Sequence, residues 1–330
     1  MRNRQVTLAT RPVGFPTETD FAIVEVEAPE PGPGEVLVRT RFVSLDPYQR
    51  GRMSAARSYA PPLELGDVIT SENVGEVVQS NHPRLREGDL VAGYLGWQEY
   101  PTAPARRLRL LPAGLEPTSL ALHAVGMTGL TAYFGLFDVG RPRAGETVAV
   151  SGAAGAVGQI VGQLAKLSGC RTVGIAGGAE KVGYLAEYGY DVGIDHRGDD
   201  VPAALEDACP DGVDLYFDNV GGELTDLVVR RLARHARVVV CGQSSQYNLS
   251  EPELGPRQLG LLIVLRARIE GFLVSDYEQR FDEGLAQLGR WVADGTLRYR
   301  EDVTAGLENA PRAFIAMLHG ESRGKVLIRI

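Results

Sequence analysis

Cysteine is scarce in this chain: 3 among 330 residues, and the first of them is Cys170, followed by Cys209 and Cys241. Thiols so few and so far apart build no disulfide framework; they fit reduced cysteines in a cytoplasm. Histidine is scarce too, with His82, His123, His196, His235 and His319 scattered singly. A catalytic zinc needs three good protein ligands and a structural one four, usually at close spacing, so zinc-dependent alcohol oxidation is not expected. No GxSxG elbow occurs, which leaves hydrolase chemistry unsupported. Positive charge is also in deficit: the net charge of −8 argues against nucleic acid or an anionic membrane as a partner. The opening Met1-Arg2-Asn3-Arg4-Gln5 leads into no apolar core of signal-peptide length. Thr147–Ala165 carries no charge, but its glycines, glutamines and serine make a poor membrane span.

What is present is a globular composition, 44% hydrophobic and 23% charged, in a chain long enough for about two domains. The stretch that organises it runs from Thr147–Val150 through Ser151-Gly152-Ala153-Ala154-Gly155-Ala156-Val157-Gly158 into Gln159–Lys166. A short β-rich run, a glycine turn and apolar residues at Val157, Ile160, Val161 and Leu164 read as strand, tight loop and helix. Such a unit presents the N–H groups of a helix start to a pyrophosphate. The spacing is GxxGxxG rather than GxGxxG, so taken alone it also fits a plain βα turn.

The second strand, Arg171–Ala176, ends in Gly177-Gly178-Ala179-Glu180-Lys181. An NAD enzyme usually carries an acidic residue at this tip for the ribose 2′-hydroxyl. Glu180 lies two residues late for that role, while Lys181 beside it suits a 2′-phosphate, so NADPH is expected over NADH. An ordinary solvated lysine is the plainer reading of Lys181.

Residues 1–122 are rich in proline and glycine, with short alternating runs such as Glu35–Thr40 and Val74–Val78, and imply a β-rich, barrel-like domain. From about Gly126 strands alternate with helices. Further strands are expected at Val192–Ile194, Val213–Val220, Arg237–Cys241 and Ile269–Val274, with helices near Lys181–Glu187, Val201–Ala208, Leu224–Leu232 and Arg257–Arg266. Six strands with crossover helices make a doubly wound parallel sheet whose strand ends meet the cofactor. A helix over Tyr277–Ala293 closes the domain, and the tail holds one more helix and the strand Lys325–Ile330. Without a metal, the remaining chemistry is hydride transfer aided by a protein acid. Reduction of an activated C=C bond needs a donor for the developing oxyanion and a proton at the α-carbon, and phenols serve both. Tyr48, Tyr59 and Tyr247 qualify by position.

Taken together, Val43–Met53, Gly126–Tyr133, Ala153–Gly158, Tyr216-Phe217-Asp218-Asn219-Val220-Gly221-Gly222, Cys241-Gly242 with Tyr247-Asn248, and Gly324-Lys325 are specific. Over nearly its whole length the chain resembles the zinc-independent medium-chain dehydrogenase/reductases, in the prostaglandin and leukotriene reductase group that includes bacterial curcumin reductases. The resemblance implies an α/β fold: a GroES-like β-barrel catalytic domain over 1–122, with 298–330 returning to it, and a Rossmann NADPH-binding domain over 123–297. It implies NADPH-dependent C=C reduction of α,β-unsaturated aldehydes or ketones by a protein of a kind that is often a homodimer; quinone reduction on the same scaffold and non-catalytic NADPH binding are the competing readings. It places Gly155, Ala156, Val157 and Gly158 at the pyrophosphate and Gly178 and Lys181 around the 2′-phosphate. Asn219, Cys241, Gly242, Phe272, Leu273 and Val274 would face the nicotinamide half. Tyr247 would lie near the nicotinamide ribose and the substrate carbonyl, and Tyr48 and Tyr59 would line the substrate cleft. His196 stands where mammalian members have tyrosine; it could pair with the phosphate as imidazolium, stack on adenine as a neutral ring, or be a plain surface histidine. Ser322 replaces an asparagine on the nicotinamide side and is shorter.

Overall fold

The structure, a computed structural model, describes residues 1–330. It divides into two compact units: Met1–His123 with Glu301–Ile330, and Ala124–Arg300.

The Ala124–Arg300 unit is built on a six-stranded, all-parallel sheet. Across it run Val192–Asp195, Arg171–Ala176, Thr147–Ser151, Val213–Asp218, Leu232–Val240 and Arg268–Gly271. Counted within the unit, that is the order 3-2-1-4-5-6 of a Rossmann sheet. The order in which strands are added reverses between Thr147–Ser151 and Val213–Asp218, so the crevice for a ligand opens at the carboxyl ends of these two parallel strands. Val148, Ala149 and Val150 are buried, as a central strand covered on both faces requires. The helix Gly158–Leu167 buries Ile160, Val161 and Leu164, the stripe its spacing calls for.

The other unit contains a two-stranded antiparallel sheet, Arg2–Leu8 with Phe21–Glu27, and a seven-stranded sheet. The path through the latter is Glu301–Ala305, Lys325–Arg329, Glu35–Leu45, Glu72–Ser80, Leu90–Tyr94 and Arg109–Leu110, with Thr102–Pro104 added on Glu35–Leu45. Only the first pair is parallel. Trp97 stacks on Phe21 at 5.7 Å and meets Phe314 of the helix Ala310–Leu318 edge-on at 5.5 Å, which ties the C-terminal segment into this core.

Several local expectations change. Tyr48 opens a short helix, Tyr48–Arg52, that the sequence reading did not include. The segment after Lys181 is two short pieces, Ala179–Gly183 and a 3-10 turn Leu185–Tyr188. Val274–Arg280 forms a 3-10 turn, so the closing α-helix starts at Phe281. The fifth strand begins at Leu232, with His235 at φ 67° where its pairing register shifts. The strand Glu301–Ala305 was not anticipated. No helix is long and apolar enough to cross a membrane.

Candidate active site

The glycine turn after Thr147–Ser151 is tightly constrained. Gly152 has φ +60°, and a Cβ on Gly158 would come 2.3 Å from the Gly152 carbonyl oxygen and 2.7 Å from Ala153 Cα. Gly158 is therefore the close-packing glycine that lets the helix start against the strand. Its carbonyl accepts the buried Tyr190 hydroxyl at 2.7 Å. Gly155 with Ala156 and Val157 forms the turn between them, and Gln159 N donates to Gly155 O at 3.0 Å.

At the switch point, Asp218 is fully buried and acts as a hub. Its Oδ1 accepts from Ser151 Oγ at 2.9 Å, Tyr216 Oη at 2.9 Å, and the N–H groups of Val220 and Gly221 at 3.0 Å each. Thr225 Oγ1 donates to Oδ2 at 2.5 Å. The Asn219 amide donates to Ser151 O at 2.7 Å, so its side chain is locked across the crevice at the strand ends. Sequence reasoning missed Asp218 and Ser151 as organisers; the Tyr216–Gly222 run was the available signal.

Gly178, at φ +100°, has open space where a Cβ would stand. Its N–H donates to Asp195 Oδ1 at 2.7 Å, and Arg197 N donates to the same oxygen at 3.0 Å. Those two amides, first Arg197 and then Gly178, hold the Asp195 carboxyl below its ordinary range. A Cβ on Gly177 would meet Arg197 Nε and His196 Nε2, both at 2.9 Å, so two further basic side chains lie over this turn. Lys181 sits half-buried in the first turn of the helix that Gly178 caps. Arg197 belongs to the Asp195–Arg197 strand end expected near the cofactor, but no phosphate-side role was assigned to it from the sequence. Burial, then Arg197, lowers the His196 pKa, and Lys181 adds in the same direction, so the ring is neutral at pH 7. Open space at Gly178 with three basic side chains around the turn fits an adenosine 2′-phosphate.

On the other side of the crevice lie Cys241, Gly242 and Tyr247. Tyr247 Oη accepts the Gln243 N–H at 3.1 Å, which leaves the phenol proton to be donated elsewhere. Burial raises the Tyr247 pKa, so it stays a neutral donor. Burial pushes the Cys241 thiol up to about 12, with Asp218 adding to it, so this sulfur is no nucleophile at neutral pH. Phe272 packs against Gly135, where an added Cβ would come 2.6 Å from its ring; Leu273 is exposed and Val274 begins the 3-10 turn.

In the other unit, Tyr48 is fixed by the segment before it. Lys325 Nζ bonds to the Asp46 carboxylate and donates to Leu45 O at 3.1 Å, with both charged side chains buried. Ser44 Oγ donates to the same carboxylate, Asp46 N donates to Gln49 Oε1 at 3.0 Å, and Gln49 Nε2 reaches Ser44 O and Thr70 O. Burial first, then Tyr94, Asp46, Glu72 and Tyr59, holds the Tyr48 phenol well above its usual pKa. Tyr59 lies in the 53–65 segment and is 62% exposed. Ser322 precedes the strand Lys325–Arg329 and is half-buried. No group of three His, Cys, Asp or Glu side chains is arranged to hold a metal ion.

Residues 4–111 match the family described as the N-terminal domain of oxidoreductase, and 156–290 the family described as zinc-binding dehydrogenase. The chain is 46% identical to the NADPH-dependent curcumin reductase of Escherichia coli, over all of this chain and 97% of that one. It belongs to the zinc-independent medium-chain dehydrogenase/reductases, in the prostaglandin and curcumin reductase group. Rat prostaglandin reductase 1 is 41% identical over 96% of this chain and 95% of its own. The solved structure of CurA from Vibrio vulnificus in complex with NADPH superposes with a TM-score of 0.95 at 42% identity, covering 99% and 98% of the two chains.

Proposed function

We propose that this reductase uses NADPH to reduce the C=C bond of α,β-unsaturated aldehydes and ketones, without a metal. The observation that carries the reading is the rim at Gly177–Gly178, where Lys181, His196 and Arg197 gather while the nearby Asp195 is engaged by backbone amides. The curcumin and prostaglandin reductases among its relatives support the same chemistry.

Gly155, Ala156, Val157 and Gly158 would hold the pyrophosphate, and Gly178, Lys181 and His196 the 2′-phosphate side, with Arg197 joining them. Asn219, Cys241, Gly242, Phe272, Leu273 and Val274 would line the nicotinamide half, the side to which Ser322 is also assigned. NADPH, when bound, supplies a hydride for the β-carbon. Tyr247 and Tyr48 are neutral phenols that can donate to the carbonyl oxygen as negative charge grows there, worth about 3 kcal/mol for a well-aimed donor. A phenol proton can then reach the α-carbon. Tyr59, on an exposed loop, would line the substrate's outer side. The domain roles follow: the unit with Tyr48 and Tyr59 carries substrate-side groups, and the Ala124–Arg300 unit binds the cofactor.

The reading extends to a cytoplasmic homodimer. Two of three free cysteines are buried and none is paired. Arg268–Gly271 is an edge strand beside a helix whose Leu259, Ile263 and Val264 are exposed, which offers an apolar face and a free strand edge to a second copy. The test is enone-dependent oxidation of NADPH with identification of the saturated carbonyl product. Turnover with quinones alone would make the protein a quinone reductase, and tight cofactor binding with no turnover would make it a binding protein.

A further inference from the structure

The seven-stranded sheet gathers a row of polar side chains around Tyr48 that the reading above leaves unused. Val326 pairs with Leu45, so the register sets Lys325 against Asp46. Val43 pairs with Asn73, so the next step sets Glu72 against Ser44, and Glu72 pairs directly with Tyr94. Residues directly opposite one another point to the same face, so Lys325, Ser44, Glu72 and Tyr94 share one face at one end of the sheet. Tyr48 opens its helix two residues beyond Asp46, within electrostatic reach of Glu72 and Tyr94. Two buried atoms here, Tyr48 Oη and Glu72 Oε2, have no hydrogen-bond partner. Native structures leave few buried polar groups unsatisfied, so a donor and an acceptor both left without a partner within one electrostatically coupled cluster call for an explanation.

We propose that Glu72 is a positioning residue for Tyr48: as a carboxylic acid it donates its O–H to Tyr48 Oη, which leaves the phenol proton to be donated to the substrate carbonyl. As a carboxylate, Glu72 accepts that phenol proton and turns it away from the substrate. Between the two arrangements Glu72 exchanges one proton with solvent, while the phenol hydrogen stays on Tyr48 Oη throughout. This rests on the enone-reductase reading of the site.

The groups facing Glu72 are Arg109 from the strand beside Leu90–Tyr94, Asp46, Lys325, Tyr94 and Tyr48. Burial raises the Glu72 carboxyl to about 7, opposed by Arg109 and Lys325 and helped by Asp46. Tyr48 remains neutral across this range. The acid form, and with it the productive aim of Tyr48, is thus complete below this value and lost as pH rises through it.

The experiment measures kcat and KM for a simple enone with NADPH from about one pH unit below to two above that midpoint, in the wild type, Glu72→Gln and Glu72→Ala. The wild type is expected to lose roughly tenfold in kcat, less than the roughly 10²–10³-fold that removing an oxyanion donor outright costs, because the phenol is turned and not deleted. Glu72→Gln, whose amide donates at every pH, should be flat near the low-pH rate. Glu72→Ala, which neither aims the phenol nor turns it away, should be flat and lie between the wild-type low-pH and high-pH rates, with KM little changed. A second readout needs no turnover: carboxyl carbon NMR of the cofactor-loaded protein should show one glutamate titrating near 7 that disappears in Glu72→Gln. Retention of the wild-type midpoint in Glu72→Gln, or absence of that resonance, overturns the role of Glu72. A wild type that reduces no enone, whatever the resonance does, refutes the functional reading and this inference with it.

Discussion

Replacing Lys325 by Met tests whether the Ser44–Gln49 segment is held by a buried ion pair. The Lys325 side chain is 1% exposed and that of Asp46 6%, so neither is solvated in the folded protein. Methionine fills much of the same volume but leaves the Asp46 carboxylate with Ser44 Oγ as its remaining side-chain partner, and leaves Leu45 O without the Nζ donor. Breaking a buried pair from one side costs about 3–5 kcal/mol because the surviving charge is stranded in a low-dielectric site. At roughly 2–4 °C of midpoint per kcal/mol for a unit of this size, the thermal transition should fall by about 10 °C. Thermal unfolding of cofactor-free protein followed by circular dichroism measures it. The double variant Lys325→Met, Asp46→Asn removes both charges and should recover at least half of the loss, a coupling that independent sites would not show. A single-variant loss below about 1 kcal/mol, the range of exposed pairs, or a double variant that is simply additive, would refute the reasoning.

Three further outcomes are expected. Lys181→Ala should raise KM for NADPH by about 10–100-fold, the value of one charge-assisted hydrogen bond, and barely change that for NADH; equal effects on both would remove Lys181 from the 2′-phosphate. His196 is neutral at pH 7 in the free protein, and a bound dianion should raise its pKa, so NADP⁺ affinity should strengthen as pH falls below 7; a ring resonance that titrates identically with and without NADP⁺ would exclude contact with the phosphate. Tyr247→Phe deletes the phenol proton and the acceptor of the Gln243 N–H while keeping the ring, so turnover should drop roughly 10²-fold with cofactor binding intact; unchanged kcat would assign the donor elsewhere.

Much of the cofactor side is legible in the sequence, because short-range rules govern it. The glycine turn, the stripe Ile160, Val161 and Leu164, and the alternation of strands with helices are local signals that the parallel sheet satisfies. Strand Glu301–Ala305 was opaque for a local reason: Glu-Asp-Val-Thr-Ala shows no apolar alternation, and it becomes a strand by pairing with Lys325–Arg329. The early part of Leu232–Val240, Ala-Arg-His-Ala-Arg, is hidden in the same way. Arg197 and Asp218 fall at strand ends that the sequence places near the cofactor, but their roles depend on contacts to Gly177 and Ser151 that spacing does not encode. Glu72 looks like one more charged residue at the start of an alternating strand. Its position beside Tyr48 follows only from three registers joining segments far apart in the chain.

The destination of the hydride tests the C=C reduction most directly. Incubation of the protein with NADPH deuterated at the transferable position and a simple enone, followed by NMR of the product, should give the saturated ketone with deuterium at the β-carbon alone. Deuterium at the carbonyl carbon of an allylic alcohol, or cofactor oxidation that leaves the enone intact, would contradict it.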